Sequence, residues 1–149
     1  MANPFTNQRP GSVVSSRQIA VKDFYVTSTN QDFTFIQPKN SIVESVHVFF
    51  DGATEIDGYG STTAGDMTLV LGTAAGGAQI ATSTTIIDAS ADDTIDDGAV
   101  VSCTAQLTAA ATGSAATSET VLHGRLACGD ASTITGTNKL QVHIGFRHF

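Results

Sequence analysis

The sequence has little of what long surface helices and nucleic-acid sites are built from. Only 14% of its 149 residues are charged, and tryptophan is absent. Surface helices usually carry paired glutamate and lysine residues, so this composition disfavours them. Lysine and arginine number 7 against 14 aspartate and glutamate residues, which gives a formal net charge of −7. Because nucleic-acid affinity depends on basic residues at the phosphates, we expect neither DNA nor RNA as a partner.

Long hydrophobic runs are also missing. No stretch approaches the roughly 20 apolar residues of a transmembrane helix, and the N-terminus lacks the apolar segment of a signal peptide. We therefore expect no membrane partner and no secretion. A chain of this length fits one domain, since about 68–70% of its unfolded surface can be buried on folding.

A proline-containing hinge is the strongest local signal that is present. Residues 32–36 and 41–50 are rich in β-formers and flank Gln37-Pro38-Lys39-Asn40. Proline fixes its own φ, favours an extended preceding residue and cannot donate to a β-ladder. The sequence therefore predicts one strand that ends at this hinge and a central strand, covered on both faces, that follows it.

Short alternating stretches separated by glycine-rich turns account for most of the remaining chain. The final strand is the clearest, because every second residue is apolar and is predicted to point inward: Leu140, Val142, Ile144 and Phe146. About eight such strands predict an all-β antiparallel β-sandwich, jelly-roll-like, in which residues 17–149 form a single domain.

The first part of the chain breaks this regularity. Residues 1–16 are polar and contain two prolines and a glycine, which predicts an extended N-terminal arm; a floppy terminus is the alternative. Phe5 is an isolated aromatic residue in this arm, and we expect it to dock on another subunit. In the strand that follows, Ile19 and Val21 share one face but Phe24 lies on the other, so a β-bulge is predicted near residues 22–23.

The cysteines and histidines do not form a catalytic arrangement. Cys103 and Cys128 are predicted on inward faces and are expected to be free buried thiols, with a disulfide as the alternative. His123 shares a predicted strand with Cys128 but points to the opposite face, so it cannot serve that thiol as a base.

Metal binding is likewise not expected. His123 and His143 are predicted on outward faces and would share a metal only if their strands were neighbours, whereas ordinary polar residues at a subunit contact are the alternative. The aspartates of residues 88–97 lack the spacing of a helix-flanked calcium loop, which predicts a solvated loop. No phosphate-binding loop, dinucleotide fingerprint or nucleophile elbow occurs. We therefore expect no catalytic residues, no cofactor, no metal and no enzymatic activity.

Three motifs carry a family resemblance. They are Ile36-Gln37-Pro38-Lys39-Asn40-Ser41-Ile42-Val43 followed by Val46-His47-Val48, then Met67-Thr68-Leu69-Val70-Leu71-Gly72-Thr73, and finally Lys139-Leu140-Gln141-Val142-His143-Ile144-Gly145-Phe146. Together they resemble the strands of small β-sandwich virion proteins of tailed phages. Such proteins are commonly capsid decoration (cement) proteins or related head and tail components.

The resemblance implies a non-enzymatic decoration protein on the outer surface of a phage head. Its expected partners are the shell of major capsid protein and further copies of itself, as a homo-oligomer and specifically a trimer. The arm residues Phe5 and Arg9, together with Arg17, are the expected contacts to the shell. The alternatives are a tail- or fibre-associated receptor-binding module and a cellular β-sandwich that binds carbohydrate or calcium.

Overall fold

The computed structural model describes residues 16–25, 30–51, 66–87, 99–104, 116–127 and 139–149. These residues form eight antiparallel β-strands in two sheets, which confirms the predicted all-β sandwich. The strands are β1 (Arg17–Tyr25), β2 (Gln31–Gln37), β3 (Ser41–Asp51), β4 (Met67–Gly72), β5 (Ala81–Ile87), β6 (Val100–Ser102), β7 (Thr120–Ala127) and β8 (Lys139–His148). None of the described residues belongs to a helix that could cross a membrane.

The strand order is that of a jelly roll. Sheet A has the order β1-β8-β3-β6, and sheet B has the order β2-β7-β4-β5. The chain pairs β4 with β5, β3 with β6, β2 with β7 and β1 with β8. This is a long antiparallel ribbon folded about the β4–β5 hairpin, whose strand pairs alternate between the two sheets.

The core lies between the sheets and is filled by alternate residues of the strands. On β2 the burial alternates along the strand, with Phe33 and Phe35 inward and Thr34 and Ile36 outward. On β8 the four residues predicted to point inward, Leu140, Val142, Ile144 and Phe146, are all 0% exposed. The side-chain period of a strand therefore placed these residues correctly.

The hinge at residues 37–40 is confirmed as a crossing between the sheets. β2 ends at Gln37 in sheet B, and β3 begins at Ser41 in sheet A. Asn40 adopts a φ of 56°, in the left-handed region that asparagine tolerates better than most residues. The Ser41 hydroxyl donates to the Pro38 carbonyl at 2.6 Å, and the Gln37 amide donates to the Ser41 carbonyl at 2.9 Å. These bonds satisfy the polar side chains that the crossing buries.

The C-terminal end of the chain is attached to this crossing. The backbone N–H of Asn40 donates to the carbonyl of Ala116 at 2.7 Å, and the N–H of Phe149 donates to the carbonyl of Asn40 at 3.0 Å. The guanidinium carbon of Arg147 lies 5.5 Å from the centre of the Phe149 ring. One short turn therefore holds both sheets and the last residue of the chain together.

β1 differs from the sequence-based expectation. It pairs with β8 without any shift of register from Arg17 to Tyr25, so the predicted bulge near residues 22–23 is wrong. Phe24 points into the core, whereas Ile19 and Val21 point outward and are 65% and 49% exposed. The change of apolar phase arises because a regular strand carries apolar residues on both faces.

The bulge of sheet A lies instead on β3, where the pairing with β8 shifts between Val43 and Ser45. β3 is central, as predicted, between β8 and β6. Its inward residues are buried, but its outward residues His47 and Phe49 remain partly exposed, so the expected cover on both faces is incomplete.

Two further expectations meet the limits of the described residues. The strand predicted around Cys103 is short, since β6 comprises 3 residues. The backbone continues beside β3 for one more bond, from the Cys103 N–H to the Val46 carbonyl at 2.9 Å. The predicted arm lies outside the described residues except for Ser16, whose carbonyl accepts a bond from the His148 N–H at 2.9 Å.

Candidate interaction surface

The outer face of sheet A is the part of the molecule that gathers charged, aromatic and exposed apolar side chains. It comprises Arg17, Ile19, Val21 and Asp23 of β1, Gln141, His143, Gly145 and Arg147 of β8, Glu44, His47 and Phe49 of β3, and Val100 and Ser102 of β6. Of the three predicted contact residues, Arg17 lies on this face at the start of β1. Phe5 and Arg9 lie outside the described residues.

Arg17 is held by a carboxylate that the β3 bulge supplies. Its Nε lies 2.9 Å from Glu44 Oε2, and Arg147 Nη1 lies 3.8 Å from Glu44 Oε1. A bulge places an extra residue on one strand and redirects its side chain, which explains why Glu44 meets two arginines at this point. The Arg17 side chain is 76% exposed, so the ion pair orients its guanidinium while leaving it accessible.

Two exposed aliphatic residues follow Arg17 on the same face. Ile19 lies opposite Gly145 of β8, which has no side chain. A Cβ at Gly145 would collide with the hydroxyl of Ser45 on the next strand. The result is a shallow depression of about 440 Å³ between Arg17, Ile19, Ser45 and Gly145. Single exposed aliphatic residues are common, but here Ile19 and Val21 are adjacent on one face of an edge strand.

Two histidines and a phenylalanine form the centre of the outer face. His47 and His143 are directly opposed across β3 and β8. The Phe49 ring centre is 4.3 Å from that of His143 and 6.2 Å from that of His47. His47 Nδ1 is buried without a hydrogen-bond partner among the described residues. The three rings therefore pack against one another on a face of sheet A that no other part of the described chain covers.

A chain of hydrogen bonds connects His143 to β1. The Gln141 amide donates to Asp23 Oδ1 at 2.8 Å, and His143 Nε2 lies 3.1 Å from Gln141 Oε1. Since that oxygen accepts, His143 Nε2 is the donor. Partial burial, reinforced by the neighbouring His47, lowers the pKa of His143, and the charge of Asp23 opposes this effect. The neutral imidazole is therefore the form that this arrangement favours.

The outer face of sheet B carries a more self-contained arrangement. Arg125 donates to both carboxylate oxygens of Asp32, at 2.6 and 2.9 Å. The hydrogen bond from Arg125 is the main cause that lowers the pKa of Asp32. Ile36 and Val121 are exposed but lie opposite each other on β2 and β7. Charged and apolar residues on this face thus have their partners within the same sheet.

The division of the strands between two sheets tests the metal site considered for His123 and His143. His123 belongs to β7 in sheet B and His143 to β8 in sheet A, and their strands are not neighbours. The condition under which these two histidines could share a metal, neighbouring strands, is therefore not met. Within the described ranges, no three histidine, cysteine, aspartate or glutamate residues are grouped so that they could hold a metal ion. The aspartates of residues 88–97 lie outside these ranges.

Cys103 has the properties of a core residue. Its thiol is free and buried, and burial raises its pKa to about 11. A thiol with such a pKa stays protonated at neutral pH and is a poor nucleophile. Cys128 lies outside the described residues, so its burial and its relation to His123 stay predictions.

Sequence reasoning missed Glu44, Asp23 and the outward direction of Ile19 and Val21. A signal for the last two was present, because two apolar residues on one parity precede an aromatic residue on the other. A regular strand exposed on one side explains that pattern as well as a bulge does. Glu44 gave no comparable signal, since the position of a bulge depends on the neighbouring strand.

Comparison with known proteins places this fold beside one from a virus. No protein-family model matches the sequence, and no curated protein matches it. A similar solved structure is a chain of the cyanophage Pam1 capsid asymmetric unit. The TM-score is 0.55 and the sequence identity is 18%, and the match covers 99% of each chain. The two chains therefore share a fold along nearly their whole lengths.

Proposed function

We propose that the protein is a structural component of a phage virion. The observation that carries this proposal is the match to a chain of the cyanophage Pam1 capsid asymmetric unit, which covers 99% of both chains. A match of this extent means that the two chains correspond as wholes, rather than sharing one domain within unrelated larger proteins. The resemblance of the hinge and strand motifs to phage virion proteins supports the same assignment independently.

Within the virion, the protein acts as a non-enzymatic decoration (cement) protein on the outer surface of the head. Its partner is the shell of major capsid protein. A small rigid sandwich with an exposed face suits this role, because a decoration protein must keep its shape while it bridges shell subunits. Interfaces of about 1,600 Å² are of standard size, and many copies acting together on one particle add their effects.

The contacts proposed for the shell are Phe5, Arg9 and Arg17. Arg17 supports this role because its guanidinium is oriented by Glu44 and remains 76% exposed. It also lies directly after the N-terminal segment that contains the other two residues. A trimer at three-fold positions of the head is the oligomer expected from the resemblance.

Binding to heads tests the proposal. Particles of the virus that encodes the protein, prepared without it, are mixed with the purified full chain, and occupancy is measured by sedimentation and gel densitometry. We expect saturable binding and greater resistance of the heads to heat. A variant that lacks residues 2–15 should bind weakly, whereas Arg125→Gln, on the outer face of sheet B, should bind as the full chain does. Failure of the full chain to bind heads would contradict the decoration role.

Equal occupancy by the shortened variant would instead reject the arm as the shell contact. It would leave the decoration role itself in place. The two outcomes are therefore separable in one experiment.

A further inference from the structure

The edge of sheet A formed by β1 is open with respect to the described residues. Among the described strands, β1 pairs with β8 alone, and its 9 residues include neither proline nor glycine. The His148 N–H donates to the Ser16 carbonyl. In the alternating antiparallel ladder, the backbone N–H and C=O groups of the even-numbered residues of β1 therefore point toward β8. The amides and carbonyls of the odd-numbered residues Arg17, Ile19, Val21 and Asp23 consequently point to the open edge.

The same four residues place their side chains on the outer face, and all are exposed. Their order along the strand is cation, aliphatic, aliphatic, anion. This order is self-complementary when two such strands run antiparallel with Ala20 at the centre. Arg17 then lies opposite Asp23 of the second copy, and Ile19 lies opposite Val21 of the second copy.

We propose that the open edge of β1 binds the same edge of a second copy of this chain, across a two-fold axis at Ala20. The contact joins the two A sheets into one continuous sheet. Four hydrogen-bonded residue pairs, each exchanging two bonds, give about eight backbone hydrogen bonds. Side-chain pairs directly opposed across such a ladder have Cβ atoms about 5 Å apart, close enough for the charges and the aliphatic groups to interact.

The charged groups around β1 allow this pairing. Asp23 receives the Gln141 amide on Oδ1, which leaves Oδ2 for an arginine of the second copy. Glu44 is shared between Arg17 and Arg147, so it keeps a cation when Arg17 turns toward the second copy. Each chain therefore supplies one cation and one anion to the contact without leaving a charge of the outer face unpaired.

The other edge strands lack these features. β6 has only 3 residues, and β5 has no charged residue and pairs irregularly with β4. β2 has a single charged residue, Asp32, and both of its oxygens are bound by Arg125. Exposed strand edges are usually short, interrupted or protected by charge that opposes pairing. β1 is the described edge whose outer-face charges favour pairing with itself. Its remaining charge, Lys22, would lie opposite the uncharged Gln18 of the second copy.

This inference does not rest on the proposed virion role, because it concerns the purified chain in solution. It assigns Arg17 to a contact between copies in place of the shell, and it predicts a two-fold contact, whereas the resemblance implies a trimer. The mass of the protein in solution separates the two. An isologous contact of this kind closes on itself at two copies.

Analytical ultracentrifugation over a range of concentrations, from roughly 1 to 100 μM, tests the pairing. We expect the full chain to form a species of twice the 15.4 kDa mass of one chain. Arg17→Asp and Asp23→Arg each place like charges opposite each other at two positions of the dimer. Each should raise the dissociation constant by about 30-fold or more.

Mixing the two single variants provides the decisive control. The Asp23→Arg chain then presents two cations to the two anions of the Arg17→Asp chain, and a heterodimer should form with an affinity close to that of the unmodified chain. Asp32→Arg, on edge strand β2 of sheet B, is the matched variant and should leave the dimer intact. Circular dichroism establishes that each variant is folded.

Val21→Pro serves if a charge variant fails to fold. Its amide points to the open edge, so proline removes a donor that only the dimer uses. Dissociation by Asp23→Arg and Val21→Pro, with recovery in the mixture of the charge variants, supports the pairing. A chain that stays monomeric at all concentrations overturns it. An oligomer whose mass none of these substitutions changes overturns it as well.

Discussion

The outer faces of the two sheets carry similar kinds of side chains, but they differ in whether those side chains have partners within the same sheet. Sheet B has one ion pair and two exposed aliphatic residues, whereas sheet A has a carboxylate shared by two arginines and three exposed aliphatic residues, Ile19, Val21 and Val100. In sheet B, Arg125 binds both oxygens of Asp32, and the aliphatic residues lie opposite each other on neighbouring strands. In sheet A, Val100 lies opposite Phe49, whereas Ile19 and Val21 lie side by side on the edge strand β1. They lie between Arg17, whose partner Glu44 also pairs with Arg147, and Asp23, which has one carboxylate oxygen bound. Exposure alone therefore does not identify an interaction surface. Exposed apolar residues indicate one where the charged groups beside them are not fully bound within the chain.

Substitution of one glycine in each sheet is the test of this comparison with the largest expected effect. Gly124 of β7 faces the core, and a Cβ there would collide with the Phe33 ring. Gly145 of β8 faces outward, where a Cβ would meet the hydroxyl of Ser45. We expect Gly124→Ala to lower the free energy of unfolding by about 3 kcal/mol, because a packed ring must move, and Gly145→Ala by about 1 kcal/mol, because a hydroxyl can rotate away.

Urea unfolding of the two variants measures this difference. Ser45→Gly combined with Gly145→Ala is the control and should recover most of the smaller loss. Equal losses in the two alanine variants would show that the inner and outer glycines are under the same constraint, and the distinction between the faces would fail.

Much of the fold follows from local patterns in the sequence. The inward phase of β8, the alternation on β2 and the crossing at Gln37–Asn40 were all predicted, because strand period and proline geometry are properties of neighbouring residues. About eight strands separated by glycine-rich turns likewise predicted a jelly-roll-like sandwich. These features required no knowledge of which strands pair.

The candidate surface was predictable only in part. Arg17 was identified, but its partner Glu44 depends on a bulge that forms where β3 meets β8. The metal site considered for His123 and His143 also depended on which strands pair, and the two residues belong to different sheets. Sequence patterns show which residues share a strand face, but the pairing of distant strands decides which faces meet.

Acid provides a second test of the difference between the sheets. The pKa of His143 lies below its ordinary value of 6.5, so the unfolded chain binds this proton more readily than the folded one. The stabilising contribution is complete above about pH 6.5 and is lost as the pH falls toward the lower folded pKa. The groups that face His143 are His47 on β3 and Asp23 on β1, and Glu44 and Arg147 lie on the same outer face.

We therefore expect the free energy of unfolding to fall between pH 7.5 and 5.5, and we expect His143→Gln to reduce that fall. Urea titrations of both proteins at each pH measure the difference. An identical pH dependence in the two proteins would contradict the role assigned to the imidazole pair in sheet A.

The smallest expected effect concerns the ion pair of sheet B. The pKa of Asp32 lies below its ordinary value of 3.8, mainly because of the hydrogen bond from Arg125. NMR titration should therefore show Asp32 ionised to lower pH than a free aspartate, and Arg125→Gln should return its pKa toward 3.8. The associated stability is present above pH 3.8 and is lost as the pH falls through the folded pKa, and it is small because the pair is exposed. If Arg125→Gln left the pKa of Asp32 unchanged, the hydrogen bond from Arg125 would not be the cause that lowers it.

We proposed that the protein is a structural component of a phage virion that decorates the head, and its copy number in purified particles tests that proposal most directly. Quantitative mass spectrometry, scaled to the major shell protein, gives this number. We predict on the order of hundreds of copies per particle, since a decoration protein follows the repeating shell lattice. Absence from the particles would contradict a virion role, and a handful of copies located at the tail would contradict decoration of the head.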